Sequence, residues 1–267
     1  MAKTQQLTLF LWLEGMFPRR VSYWLFLKGL VSSPADLLDG KTSDPNLSIV
    51  RLAINMSAGG WTSNPENDPL PTSNSTPSLR IRDTERGSER WVRESSSIVA
   101  YLEEVYADRG PALKSNDLLD IALTNDLIGI VNLSFLEGGM HLRHASPQLA
   151  AFSGIKDEDR SRPAARNGYS AMVKGLVKLQ SWAKESLDTT GWLTPGTDGP
   201  GLVDVNLASG RRYLELGYKW NIFESEELKP LAEWYERFQK LPWWNALEER
   251  PNVHPKELQF EREVFEL

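Results

Sequence analysis

Residues 89–106, ERWVRESSSIVAYLEEVY, constrain this chain most, because a strand ending, a polar corner and an amphipathic helix follow one another within them. Trp91 and Val92 supply β-favouring bulk and Glu94 and Ser95 follow. Ile98, Tyr101, Leu102 and Val105 then recur at the three- and four-residue spacing of one helix face. A strand-to-helix corner exposes unpaired amides at the positive end of a helix dipole. It either holds an anion or is a capped helix start and nothing more.

The chain upstream feeds that corner. Residues 78–82 alternate as a short strand, 83–88 turn around Gly87, and 89–93 return, which is a β-hairpin pattern. Residues 6–13 form a Leu/Phe/Trp run suited to a central strand covered on both faces. Glu14, Gly15 and Met16 turn it into a helix with Pro18 in the first turn and Gly29 as its stop. Residues 30–38 read as a second strand, confined to an edge by Pro34. Residues 45–56 read as a short helix, and 57–76, rich in Gly, Ser, Asn and Pro, as a long loop. Past Gly110 and Pro111 no segment reads as a strand. Helical patterns cover 117–144, 162–187, 203–216 and 228–247, and the charged tail from Arg250 is expected to drape over the surface. The expected organisation is an α/β domain over 1–108 and an all-helical domain over 109–267.

Composition narrows the chemistry. With 267 residues there is length for two domains and a real core. The chain has no Cys, which removes disulfides, thiolate metal ligands and a Cys nucleophile, so any thiol chemistry needs a borrowed thiol. A net charge of −6 offers no basic field for nucleic acid or an anionic membrane, and neither is an expected partner. The apolar run at 7–13 is too short for a membrane span and has the wrong flanks for a signal peptide, so the expected address is the cytosol. The ten Trp residues are expected to be packing aromatics. Glu137, His141 and His144 share a helix face at i, i+4 and i+7, yet they read as ordinary polar residues, and no metal is expected. Hydrolase elbows, P-loops and dinucleotide glycine motifs are absent from the sequence.

The order strand, helix, strand, hairpin, helix, then a helical domain, resembles the cytosolic glutathione transferase superfamily over nearly the whole chain. The residues that carry the resemblance are Arg19-Arg20-Val21 on the first helix, Thr76-Pro77 before a strand, ESSSIVAYLEE at 94–104, and Asp204 in LVDVNLA. It implies an N-terminal thioredoxin-like domain with a mixed four-stranded sheet and a cis-proline, followed by an all-α domain, in a homodimer. It implies glutathione as the cofactor. The Thr76 backbone before Pro77 would pair with the cysteinyl part, and Glu94 and Ser95 would hold the γ-glutamyl end. A carboxylate acceptor beside a hydroxyl and free amides suits a group that carries both an ammonium and a carboxylate.

The sequence departs from that family at informative places. The usual catalytic Ser or Cys position is Gly15, so thiol activation falls to the first helix's dipole and to candidates such as Arg19 and Tyr23, with the Trp12 indole and Ser22 also in reach. Gly201 replaces the Ser or Thr that normally caps the helix of Asp204. The segment that normally grips the glycine carboxylate is replaced, with Lys41 and Arg51 as candidates for that task. The helix of Phe135, Met140 and His144 would line the side for an apolar electrophile. The expected function is glutathione-dependent chemistry on an apolar electrophilic small molecule: conjugation, or reversible addition giving isomerisation or elimination. The alternative is a non-catalytic transferase-like module for binding or scaffolding.

Overall fold

The computed structural model describes residues 5–55, 60–64 and 75–263. The chain divides into two compact units, Met1–Ala112 with Pro242–Val253, and Leu113–Leu241 with His254–Leu267.

The first unit is a five-stranded sheet with helices. β1 (Gln5–Leu11) is the central strand, α1 (Met16–Leu27) follows, then α2 (Pro34–Leu38), β2 (Leu47–Asn55), β3 (Gly60–Asn64), β4 (Ser78–Asp83), β5 (Ser88–Val92) and α3 (Ser95–Val105). The strand order is β3-β2-β1-β4-β5, with β1 and β2 parallel and every other pairing antiparallel. β1 buries Leu7, Leu9, Phe10 and Leu11, as its unbroken apolar run requires. α1 ends on Gly29 at φ +64°, where the left-handed region suits glycine.

Three readings from sequence differ here. Residues 30–38 contain the helix α2 rather than a strand: Pro34 begins it and the Ser33 hydroxyl caps it by accepting from Asp36 N at 3.1 Å. Residues 45–56 hold strand β2 rather than a helix, because Leu47, Ile49 and Val50 pair into the parallel register with β1, a long-range contact that outweighs local propensity. Part of the expected loop at 57–76 is the strand β3, which makes the sheet five-stranded rather than four; residues 56–59 and 65–74 lie outside the described ones.

The second unit is helical, as expected. It contains α4 (Leu118–Ala145), α5 (Pro147–Phe152), α6 (Arg162–Trp182), α7 (Lys184–Thr189), α8 (Leu202–Tyr218) and α9 (Lys229–Phe238). Small residues let α4 and α6 approach closely: a Cβ on Gly168 would lie 2.7 Å from the Glu137 carbonyl oxygen, and one on Gly175 would strike the Ser134 hydroxyl. The pattern at 228–247 is not one helix. It breaks after Phe238, and α10 (Trp244–Glu248) lies in the returning segment Pro242–Val253 of the first unit. There Trp243 stacks on Phe26 at 5.5 Å between ring centroids, and Trp243 and Trp244 meet Tyr23 at 5.1 and 5.8 Å. The tail beyond is also anchored rather than draped: His254 is buried, Phe260 N donates to Gly217 O and Glu263 N to Ala145 O. Of the tryptophans, Trp24, Trp220, Trp234 and Trp244 are wholly buried core residues.

The departure at Gly201 has a local explanation. The hydroxyl expected at the cap of α8 comes instead from Thr194, whose Oγ1 accepts from Val203 N at 3.0 Å and donates to Asp204 Oδ2 at 2.7 Å. A Cβ on Gly201 would lie 2.6 Å from that same Oγ1, so the two positions cannot both carry the group. Asp204 also accepts from Leu193 N, Thr194 N, Gly201 N and Trp234 Nε1. Burial pushes its carboxyl up, and these donors oppose the shift.

Candidate functional site

Register assembles the site at one edge of the sheet. Leu11 at the end of β1 pairs with Arg51 of β2, Phe10 pairs with Ser78 at the start of β4, and Leu79 pairs with Val92 at the end of β5. The turn into α1, the Thr76-Pro77 step into β4 and the Glu94-Ser95 step into α3 therefore all follow from that one row of residues.

The Thr76–Pro77 peptide bond is cis. The Thr76 hydroxyl accepts from Trp12 N at 3.1 Å and donates to Phe10 O at 3.3 Å, tying this step to the end of β1. With the side chain so engaged, the Thr76 main chain makes no hydrogen bond among the described residues.

At the α3 corner, Glu94 rather than Ser95 occupies the N-cap, in extended conformation at φ −84°, ψ 128°, and its side chain makes no capping bond. Ser95 is therefore the first helical residue and its hydroxyl is not used as a cap. Ser95 is buried and Glu94 exposed. Ile98 N is the first α3 amide to find a helical acceptor, Glu94 O at 2.8 Å, which leaves the amides before it facing outward from the helix end.

A residue that the sequence reading named for the resemblance alone, with no role in the site, completes this corner. Arg20 Nη1 donates to Ser95 Oγ and to Ser96 Oγ, each at 3.3 Å. The signal was present in its position: Arg20 lies at i relative to Tyr23 and Trp24, on the buried stripe of α1, where an unpaired cation has no structural reason to sit.

The start of α1 is bare of functional side chains. Gly15 has φ −78° and ψ 152°, a conformation open to any residue, so its being glycine is a matter of space. A Cβ there would lie 2.8 Å from Trp12 Cε3. The Trp12 ring, which also meets Trp61 at 5.3 Å, occupies the place a catalytic side chain would need. Gly15 N bonds Trp12 O and Pro18 has no N–H, so Met16 and Phe17 carry the unpaired first-turn amides.

Both side chains expected to activate a thiol lie in the core, which corrects that expectation. The Arg19 Nε is 3.3 Å from Glu248 Oε1, an ion-pair separation outside hydrogen-bonding angles, while Nη1 donates to Leu13 O and Glu14 O at 3.5 and 3.4 Å. Tyr23 is wholly buried against Trp243 and Trp244. Ser22 donates within the helix to Pro18 O. None of the three presents a group to a sulfur outside the core.

Arg51 reaches the site edge, with Nη2 3.3 Å from Glu14 Oε1. Lys41 does not sit at that edge: it follows Gly40, whose carbonyl accepts from Ile49 N, and its exposed ammonium is paired with Asp39 at 2.9 Å, which pushes the Lys41 pKa up. In the second unit Phe135 is buried against Gly210, Met140 is exposed, and His144 Nδ1 accepts from Ser161 N at 3.2 Å. His141 is buried, with Nδ1 on Ala165 O at 2.9 Å and its ring 4.9 Å from that of Trp220.

A mixed sheet with a cis-proline entering β4, joined to a helical unit, is the fold of the glutathione transferases, and solved structures of that fold match nearly the whole chain. A maleylacetoacetate isomerase from Anaeromyxobacter dehalogenans, solved with dicarboxyethyl glutathione and citrate in its active site, is 19% identical with a TM-score of 0.57, covering 95% of this chain and 94% of its own. A theta-class glutathione S-transferase from Xanthomonas axonopodis pv. citri, with glutathione bound, is 15% identical with a TM-score of 0.58, covering 93% and 99%. FzlA from C. crescentus is 18% identical with a TM-score of 0.60, covering 94% and 96%. By sequence the chain matches no family model and no curated protein.

Proposed function

We propose that this protein binds glutathione at the α3 corner and uses it on an apolar electrophilic small molecule. The observation that carries the reading is the corner itself. Glu94 offers a carboxylate for an ammonium, Ser95 and the first amides of α3 offer donors for a carboxylate, and the Thr76 main chain, unbonded among the described residues, is open to pair with an extended peptide. The buried, carboxylate-free Arg20 behind Ser95 fits an anionic guest better than a purely structural corner. Glutathione supplies, when bound, a thiolate nucleophile for conjugation, for reversible addition that isomerises a substrate, or for displacement of a leaving group. The chain's part is to hold and orient it. Met16 and Phe17 amides and the α1 dipole lower a nearby thiol's pKa, each unit being worth about 1.36 kcal/mol. Arg51 is the better placed of the two residues for the glycine carboxylate, and Lys41 the poorer.

Calorimetric titration with glutathione tests the reading, together with the ultraviolet absorbance of the bound thiolate. Binding with a thiol pKa below the free value of about 8.5 is expected; no heat and no thermal shift at millimolar glutathione would overturn it. Gly15, roofed by Trp12, favours a second reading, a transferase-like module that binds a partner without chemistry. Glutathione bound with an unshifted thiol and no turnover across an electrophile panel would select it. A homodimer belongs to the first reading. Support comes from α4, whose Leu133 and Leu136 are 63% and 62% exposed on one stripe with Leu119 and Met140. Sedimentation of the Leu133→Glu, Leu136→Glu variant as a monomer, against a dimeric parent, is the expected result.

A further inference from the structure

α1 and its C-terminal cap carry three cations in the interior, Arg19, Arg20 and Lys28. Two have carboxylates: Lys28 Nζ lies 3.2 Å from Glu103 Oε1, and Arg19 Nε 3.3 Å from Glu248 Oε1. Arg20, 1% exposed, has none within ion-pair distance among the described residues. Its Nε and Nη2 are buried without a hydrogen-bond partner, and the Phe17 ring lies 5.0 Å from its guanidinium carbon. A cation–π contact offsets only part of the cost of burying such a charge. Burial pushes the Arg20 pKa down to about 9, with the Glu94 charge opposing, so the guanidinium keeps its proton at neutral pH.

The hydrogen bonds it does make have a directional consequence. A guanidinium has donors only, so Ser95 Oγ accepts from Arg20 and its own O–H must donate elsewhere. Ser96 Oγ accepts from the same Nη1. The corner is thereby set as a cluster of donors backed by an uncompensated positive charge, with the exposed Glu94 as the adjacent acceptor.

We propose that Arg20 is the positioning residue that makes this corner selective for a carboxylate beside an ammonium, the free α-amino-acid end of a γ-glutamyl thiol. It acts through Ser95, whose hydroxyl it locks as a donor, and through its buried charge, which the exposed Glu94 offsets from beyond ion-pair distance and an incoming carboxylate would meet at the corner. The inference rests on the glutathione-binding reading and adds the residue on which its carboxylate selectivity depends.

The test is calorimetry on the full chain with three ligands: glutathione, 4-aminobutanoyl-cysteinylglycine, which lacks the α-carboxylate, and glutaryl-cysteinylglycine, which lacks the α-amine. The parent is expected to prefer glutathione to the carboxylate-free analogue by roughly 10- to 100-fold. In Arg20→Met that preference is expected to fall to about threefold or less. The preference over the amine-free analogue, which depends on Glu94, is expected to persist. Arg20→Gln, which removes the charge but keeps polar atoms, carries the same comparison should the Met variant not fold. An unchanged carboxylate preference in both variants overturns the role of Arg20 and leaves glutathione binding standing. A parent that binds none of the three overturns both.

Discussion

Arg19 and Arg20 are adjacent, both lie in the core, and they stand in opposite electrostatic circumstances. Arg19 faces the returning segment, where Glu248 of α10 and the carbonyls of Leu13 and Glu14 receive it. Arg20 faces α3, where it meets two hydroxyls and no carboxylate. The first arrangement closes on itself and holds the unit together. The second leaves a buried positive charge without an ion-pair partner among the described residues, at the edge where the turn into α1, the Thr76-Pro77 step and the Glu94-Ser95 step converge. Adjacent residues on a helix point about 100° apart, so one turn of α1 can serve structure on one side and recognition on the other.

The largest effect that would sharpen this contrast is on stability. Arg19→Met removes the guanidinium that lies 3.3 Å from the buried Glu248 and is expected to cost about 3–5 kcal/mol in denaturant unfolding; a loss as small as that of a surface change would break the comparison. On the recognition side, Ser95→Ala removes the hydroxyl that Arg20 orients and is expected to weaken glutathione binding by about 1–3 kcal/mol in calorimetry. Replacing both members of the closed pair, Arg19→Met with Glu248→Leu, is expected to restore most of what the single change loses, ending within about 1 kcal/mol of the parent, because no orphaned charge remains. Smallest is the effect of Arg20→Met on unliganded stability. With no carboxylate abandoned, the midpoint is expected to stay or rise, and a drop as large as that of Arg19→Met would show the two arginines to be alike.

Much of the fold was legible before any coordinates. The Leu/Phe/Trp run of β1, the hairpin of β4 and β5, the strand-to-helix corner at Glu94 and the helices α4 and α8 are all local patterns and are present as read, whereas the patterns at 162–187 and 228–247 are each broken into two helices. The readings that failed are those that tertiary pairing decides. Leu47, Ile49 and Val50 are compatible with a short helix until β1 supplies a parallel partner, and residues 30–38 are compatible with an edge strand until Ser33 caps a turn of helix at Pro34. The candidate site divides in the same way. Glu94, Ser95, Thr76 and Pro77 sit on contiguous motifs and were named from them, whereas Arg20 was hidden in a helix stripe whose neighbours are apolar.

By itself, then, the sequence determined β1, α1, the hairpin of β4 and β5, α3, the helical character of the second half, the cysteine-free chemistry and the corner at which a γ-glutamyl group is proposed to bind. Only the tertiary structure decided which buried charges are closed and which are open. Glu248 reaches Arg19 because a segment distant in sequence returns to α1, Thr194 stands in for a missing cap hydroxyl at Gly201, and the Trp12 ring fills the space that a side chain at position 15 would take. Each of these depends on which distant side chain occupies a given few ångströms. Periodicity along the chain cannot encode that, because it records which face a residue lies on and not what it will meet there.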